Sequence, residues 1–116
     1  MTYVDGFVAA VPAANKEAYL EHARVTGPVF KKYGALRVVD NWGDEVPDGE
    51  VTSFPMAVKA KPGEVIVFSW IEWPSKEARD KGMEGCMTDP VFNSDMDMPF
   101  DGARMLIGSF ETISDA

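Results

Sequence analysis

A chain of 116 residues is long enough for one modest hydrophobic core and too short for two, so a single domain is expected. Its 46% hydrophobic and 26% charged residues are ordinary for a globular protein. The formal net charge of -8 argues against nucleic acid and anionic membrane surfaces as partners, because either would repel the chain at long range.

The single cysteine, Cys86, rules out an internal disulfide and suits a reducing compartment. No apolar run approaches the roughly 18 residues that span a bilayer. Met1-Thr2-Tyr3-Val4-Asp5 has neither the basic start nor the apolar stretch of a secretory signal, so a cytoplasmic protein is expected.

Tyr3 to Val11 reads as a strand closed by Pro12, with faces Tyr3/Asp5/Phe7/Ala9/Val11 and Val4/Gly6/Val8/Ala10, both largely apolar. Asn15 is the expected N-cap of a helix starting at Lys16. On a helical projection Ala18, Tyr19, Ala23, Val25, Val29, Phe30 and Tyr33 share one side, opposite Lys16, Glu17, Glu21, Arg24, Lys31 and Lys32. Gly27-Pro28 interrupts this pattern and predicts a kink or break, and Gly34 ends the helix. Ala35 to Trp42 is the second strand.

The connection from Gly43 to Gly63 is long and rich in turn residues, a length that is often functional. Within it, Ser53 and Pro55 predict a short helix over Met56–Ala60. Val65 to Trp73 is the most informative run: nine β-branched and aromatic residues after the turn signal Pro62-Gly63. Its faces, Val65/Val67/Ser69/Ile71/Trp73 and Ile66/Phe68/Trp70/Glu72, are again both mostly apolar, as in a strand covered on two sides. Ser75 caps a helix that Gly82 and Gly85 weaken and Asp89-Pro90 ends. A polar stretch from Asn93 to Gly102 leads into a last strand over Arg104 to Ile113.

The order β-α-β-β-α-β is that of an α+β, ferredoxin-like antiparallel sheet with both helices on one face. Right-handed crossovers put the first and third strands at its centre. Those are the two strands that read as apolar on both sides. Helices in so short a chain cover one face, and a second copy is the simplest cover for the other, burying roughly 800 Å² per partner. A homodimer is the expected state.

Several words in fixed order carry a family resemblance: Tyr3-Val4-Asp5-Gly6-Phe7, Gly34-Ala35-Leu36-Arg37-Val38, Val46-Pro47-Asp48-Gly49, Phe68-Ser69-Trp70 and Met98-Pro99-Phe100-Asp101-Gly102. With these the chain resembles the YbaA-like family of uncharacterised bacterial proteins. The resemblance implies a dimeric α+β barrel, in which two ferredoxin-like sheets face each other, and implies no established reaction. Ser109 departs from it, standing where a second glycine is expected after Gly108.

For chemistry, His22 is the only histidine and lies on the apolar side of its helix, beside Thr26 and one turn from Tyr19. Imidazole titrates near neutral pH, so facing a cavity it can serve as acid, base or ligand; the competing reading is a bonded core histidine. Asp5 and Glu72 are the other catalytic candidates, expected close to Trp70, where a carboxylate among aromatic rings acts as a base. Alternatively they pair with Arg37, Arg104 or a second subunit and fix register. Ligand-binding candidates are His22, Arg37, Trp70 and Arg104, with Trp73 and Phe68 beside Trp70 either lining a pocket or filling core. Met96 to Gly102 reads as a lid or as a plain surface loop.

No metal is expected: one His and one Cys cannot make a zinc site, and Asp95, Asp97 and Asp101 lack the spacing of a calcium loop. No phosphate loop or dinucleotide fingerprint is present, so no cofactor is named. Two readings follow. In the first, a homodimer binds or acts on a small organic molecule in a cavity between sheet and helices. In the second, a non-catalytic dimeric interaction module uses its strand charges only as ion pairs.

Overall fold

The computed structural model describes residues 1–93 and 98–116. Strand β1 (Tyr3–Pro12) ends where proline removes the ladder donor, and a short 3-10 turn, Ala13–Asn15, leads into helix α1 (Lys16–Lys32). Asn15 holds the cap position but not the cap bond: its Nδ2 donates to the Pro99 carbonyl at 3.2 Å instead. Pro28 sits inside α1, which runs unbroken through it. After Tyr33 the chain reverses at Gly34, whose φ of +112° disfavours any residue with a Cβ.

Strand β2 (Arg37–Trp42) is followed by helix α2 (Phe54–Ala57), strand β3 (Glu64–Trp73), helix α3 (Lys76–Thr88) and strand β4 (Leu106–Glu111). The two predicted serine caps hold. Ser53 accepts the Met56 N–H and Ser75 the Ala78 N–H, each at 3.1 Å. The last strand starts later than its sequence predicts, because Asp101 accepts the Ala103 N–H and draws Gly102–Arg104 into a 3-10 turn.

The sheet order is β2-β3-β1-β4, every pair antiparallel, with β1 and β3 central. Register runs from Tyr3 opposite Trp73 to Pro12 opposite Glu64, which sends the two stripes of each strand to opposite faces. One stripe meets the helices: Val11 and Val67 pack with Tyr19 of α1, while Ala35, Ile71 and Trp73 pack with Phe30 and Met83. The buried side of α1 is narrower than its projection suggests. Tyr19, Thr26 and Val29 are buried, whereas Ala18 and Val25 are exposed. Thr26 tolerates burial because its hydroxyl donates to the His22 carbonyl at 2.9 Å.

The other stripe faces away from α1 and α3. The 43–63 connection folds over one end of it, where Val58 is fully buried against Ala10 and Ile66, with Val46 and Ala60 alongside. Burying such a valine stabilises the fold by about 1.5–3 kcal/mol. The remainder stays open, and Phe68, Leu106 and Phe110 are 44, 44 and 61% exposed there.

Arg104 ties the turn before β4 to the start of β3. Its Nη1 and Nη2 donate to Glu64 Oε1 and Oε2 at 2.8 and 2.7 Å, and Nη1 also reaches the Lys59 carbonyl at 2.9 Å. The guanidinium, then the Lys61 N–H, holds the Glu64 carboxyl at a pKa of about 2. A depressed carboxylate stabilises the fold fully above its ordinary pKa and loses that contribution as pH falls toward the folded value. Urea unfolding should therefore show the wild-type advantage over Glu64→Gln shrinking by more than half between about pH 6 and pH 3. A constant difference across that range would refute the assignment.

Candidate functional site

A cavity of about 420 Å³ lies between the helix side of the sheet and helices α1 and α3. Its polar end is made by register. Asp40 of β2 and Ser69 of β3 are direct cross-strand partners, so both side chains leave the sheet on the same face. Tyr19 comes down from α1 to meet them. Its hydroxyl donates to Asp40 Oδ1 at 2.7 Å, and the Ser69 hydroxyl donates to the same oxygen at 2.8 Å. The two hydroxyl oxygens lie 3.3 Å apart.

His22 stands one turn further along α1, its ring 6.2 Å from that of Tyr19 and edge-on to Phe100 at 6.0 Å. Burial lowers the His22 pKa, and the Asp40 charge opposes this, so the imidazole is neutral at pH 7. Its Nδ1 is enclosed and has no hydrogen-bond partner among the described residues. Burial first, with Asp40 adding and Ser69 opposing, raises the Tyr19 phenol well above its usual range. Tyr19 therefore stays protonated.

Apart from Thr26, whose hydroxyl is spent on the His22 carbonyl, the rest of the described lining is apolar and soft. Met83, Cys86 and Met87 project from α3, and Met98, Phe100 and Met105 come from the segment before β4. Thioethers adapt to irregular shapes and make favourable contacts with aromatic rings. Cys86 is 1% exposed, and burial, followed by the charge of Asp89, pushes its thiol pKa up, so it is an inert wall. The whole arrangement can hold an apolar molecule by its body and orient one polar group against Tyr19, Asp40, Ser69 and a neutral imidazole.

The residues nominated from sequence scatter. His22 lines the cavity. Trp70 borders it, but its indole belongs to the opposite stripe, where Nε1 donates to Glu72 Oε2 at 2.9 Å and the ring meets Phe68. Glu72 also pairs with Arg37 at 3.5 Å on that open face. Arg104 is held by Glu64 and Asp101, in the turn rather than on the flanking strand.

Asp5 is not beside Trp70. Its register partner is Ile71, so it points to the helix side, 4% exposed, away from Trp70 and Glu72. There it accepts Trp73 Nε1 at 3.0 Å, Arg79 Nε at 3.2 Å, Arg79 Nη2 at 3.1 Å and the Ser109 hydroxyl at 2.6 Å. The serine that replaces an expected glycine is thus a partner of this carboxylate. Of the stretch read as a lid, Met96 and Asp97 lie outside the described residues, as does Asp95.

Tyr19, Asp40 and Ser69 were not nominated from sequence, although a signal exists. Asp40 interrupts the stripe between Val38 and Trp42, and Ser69 interrupts Val67 and Ile71; each polar residue breaks an otherwise apolar helix-side stripe. Arg79 offers no such signal, since its partner Asp5 is 74 residues away.

Comparison with known proteins adds an identity but no reaction. The sequence profile described as "Protein of unknown function (DUF1428)" matches residues 2–102. The "Uncharacterized protein YbaA" of Escherichia coli K12 is 56% identical over 116 residues, covering 99% of each chain. Its counterparts in Escherichia coli O157:H7 and Shigella flexneri match equally, at 56% over the same 116 residues. The chain therefore belongs to the DUF1428 family of proteins of unknown function.

Proposed function

We propose that the protein is a cytoplasmic homodimer of ferredoxin-like domains, in which each subunit binds or acts on a small organic molecule between its sheet and its helices. The observation that carries this reading is the cavity of about 420 Å³ with Tyr19, Asp40, Ser69 and His22 gathered at one end. Its volume is within the range of about 300–1,000 Å³ typical of ligand pockets, and its few polar groups converge in an otherwise apolar wall. The strand order β2-β3-β1-β4 supports the ferredoxin-like reading.

Self-association is supported by the open stripe. Phe68, Leu106 and Phe110 form, with Val4, Val8 and Trp70, one side of a trough of about 810 Å³. Large contiguous apolar patches on monomers are uncommon and usually mark interfaces. A facing sheet from a second copy would complete an α+β barrel.

The alternative, a non-catalytic interaction module, accounts for the strand charges, since Asp5, Glu72 and Arg104 are all engaged in ion pairs. It does not account for the cavity. Native mass spectrometry of freshly purified protein separates the two. A dimer carrying a small organic adduct, lost on unfolding, is the expected result. A monomer at micromolar concentration with no adduct would overturn the proposal.

A further inference from the structure

We infer that the cavity takes an organic ammonium: an apolar, aromatic-sized body carrying one positively charged hydrogen-bond donor that docks on Asp40. This inference rests on the proposed cavity reading and assigns it a ligand class.

Charge sets the ligand class. Among the described residues lining the cavity, Asp40 is the only acidic one, and no Lys or Arg is among them. Lys16 stands nearby, but its ammonium lies over the Trp42 ring at 5.5 Å and lines no part of the cavity. The chain as a whole carries a net charge of -8, which draws cations rather than anions toward any opening.

Donor and acceptor bookkeeping points the same way. Each hydroxyl at the polar end has one proton, and both Tyr19 and Ser69 direct theirs to Asp40 Oδ1. What they turn toward a ligand is lone pairs. A carboxylate has no proton to give, so its second oxygen adds further acceptor capacity. The neutral imidazole of His22 contributes one N–H against these acceptors. A carboxylate or phosphate ligand would set like charge against Asp40, with no cation among the described lining residues to offset it. A neutral apolar ligand would leave the charge unanswered, since Asp40 is exposed and its second oxygen would stay with water. An ammonium satisfies charge and hydrogen bonds together, and charge-assisted bonds of this kind are the strong ones.

The body follows from the other wall. Met83, Met87, Met98 and Met105 surround the space with Phe7 and Phe30, which suits a flat ring held by sulfur–aromatic contacts.

The methionines also provide the test. Of the seven in the chain, those four line the cavity, while Met1 and Met56 do not. In protein labelled with ¹³C at the methionine methyls and assigned by single Met→Leu variants, three matched probes are titrated: 2-phenylethylammonium, 2-phenylethanol and phenylacetate. Toluene serves as an uncharged filler.

The expected result is movement of the Met83, Met87, Met98 and Met105 signals, with Met1 and Met56 unmoved. The ammonium should bind about tenfold or more tighter than either analogue. Asp40→Asn should erase that preference while leaving toluene binding intact. If toluene moves the four methyls but phenylacetate or the alcohol binds as tightly as the ammonium, the ligand class is wrong and the cavity reading stands. If neither toluene nor any of the three probes moves them, the cavity reading itself fails. The comparison on the wild-type protein is sufficient by itself, so the test survives even if the Asp40 variant does not fold.

Discussion

Asp5→Ala should lower stability by about 3–5 kcal/mol, the loss typical of removing one partner from a buried ion pair. Asp5 is 4% exposed and receives donors from Trp73, Arg79 and Ser109, so its removal takes an acceptor from all three. The indole N–H of Trp73 fares worst, because that residue has no exposed surface through which water could replace the lost acceptor. Arg79 fares better. Its side chain is 25% exposed and its Nη1 keeps Asp80 at 2.9 Å, which favours the lower end of the range. For a domain of this size the melting temperature should fall by about 10 °C or more. Thermal and urea unfolding check this, and a double-mutant cycle with Arg79→Leu should give a coupling of about 1.5 kcal/mol or more. A loss below about 0.5 kcal/mol would mean that the carboxylate is not held as described.

Gly82→Ala should be nearly as damaging, although alanine is the better helix former by about 1 kcal/mol. A Cβ at position 82 would stand 2.3 Å from Trp73 Cζ3, 2.7 Å from Cη2 and 2.8 Å from the Tyr33 carbonyl oxygen. The indole cannot retreat, since it is fully buried and tethered to Asp5 at 3.0 Å. Helix α3 must lift off the sheet, and the net cost is about 2 kcal/mol, at the scale of overpacked cores. Two other helical glycines serve as controls. At Gly85 the new atom would meet the Tyr33 ring, which is half-buried and can swing away only by giving up its 3.0 Å bond to Asp89, so a smaller loss is expected. At Gly27 nothing lies within 4 Å, and the helix-propensity gain is offset by crowding against Pro28, so alanine there should be near neutral. Melting curves of the three variants test the ordering 82, 85, 27. Equal effects would contradict the close approach of α3 to Trp73 and Tyr33.

These glycines show where local reading of the sequence stops. Read alone, Gly82 and Gly85 look like weak points in a helix; their purpose becomes visible only with Trp73 and Tyr33 packed against them. Strand identity was legible because alternation and doubly apolar stripes are local properties of ten-residue runs. Central placement of β1 and β3 followed from connection handedness, and the Ser53 and Ser75 caps from residues three positions apart. What was not legible depends on register. A slip of one residue reverses every side chain, and the expectation that Asp5 meets Trp70 was off by one such step, since Trp70 pairs with Gly6. The Tyr19, Asp40 and Ser69 cluster was missed for a related reason. Its members come from three elements, and only the correct pairing of β2 with β3 brings Asp40 and Ser69 side by side.

The sheet divides the molecule's two unfinished surfaces. Asp40 sits on the outermost strand, β2, and turns toward the helices, while Phe68 and Phe110 belong to the reverse side. A copy docked on the reverse side would leave Asp40, exposed on the edge strand, uncovered. Occupancy of the chamber and assembly state would then communicate through Phe7 and Trp70, which border both spaces, and a binding isotherm would shift little between diluted and crowded protein.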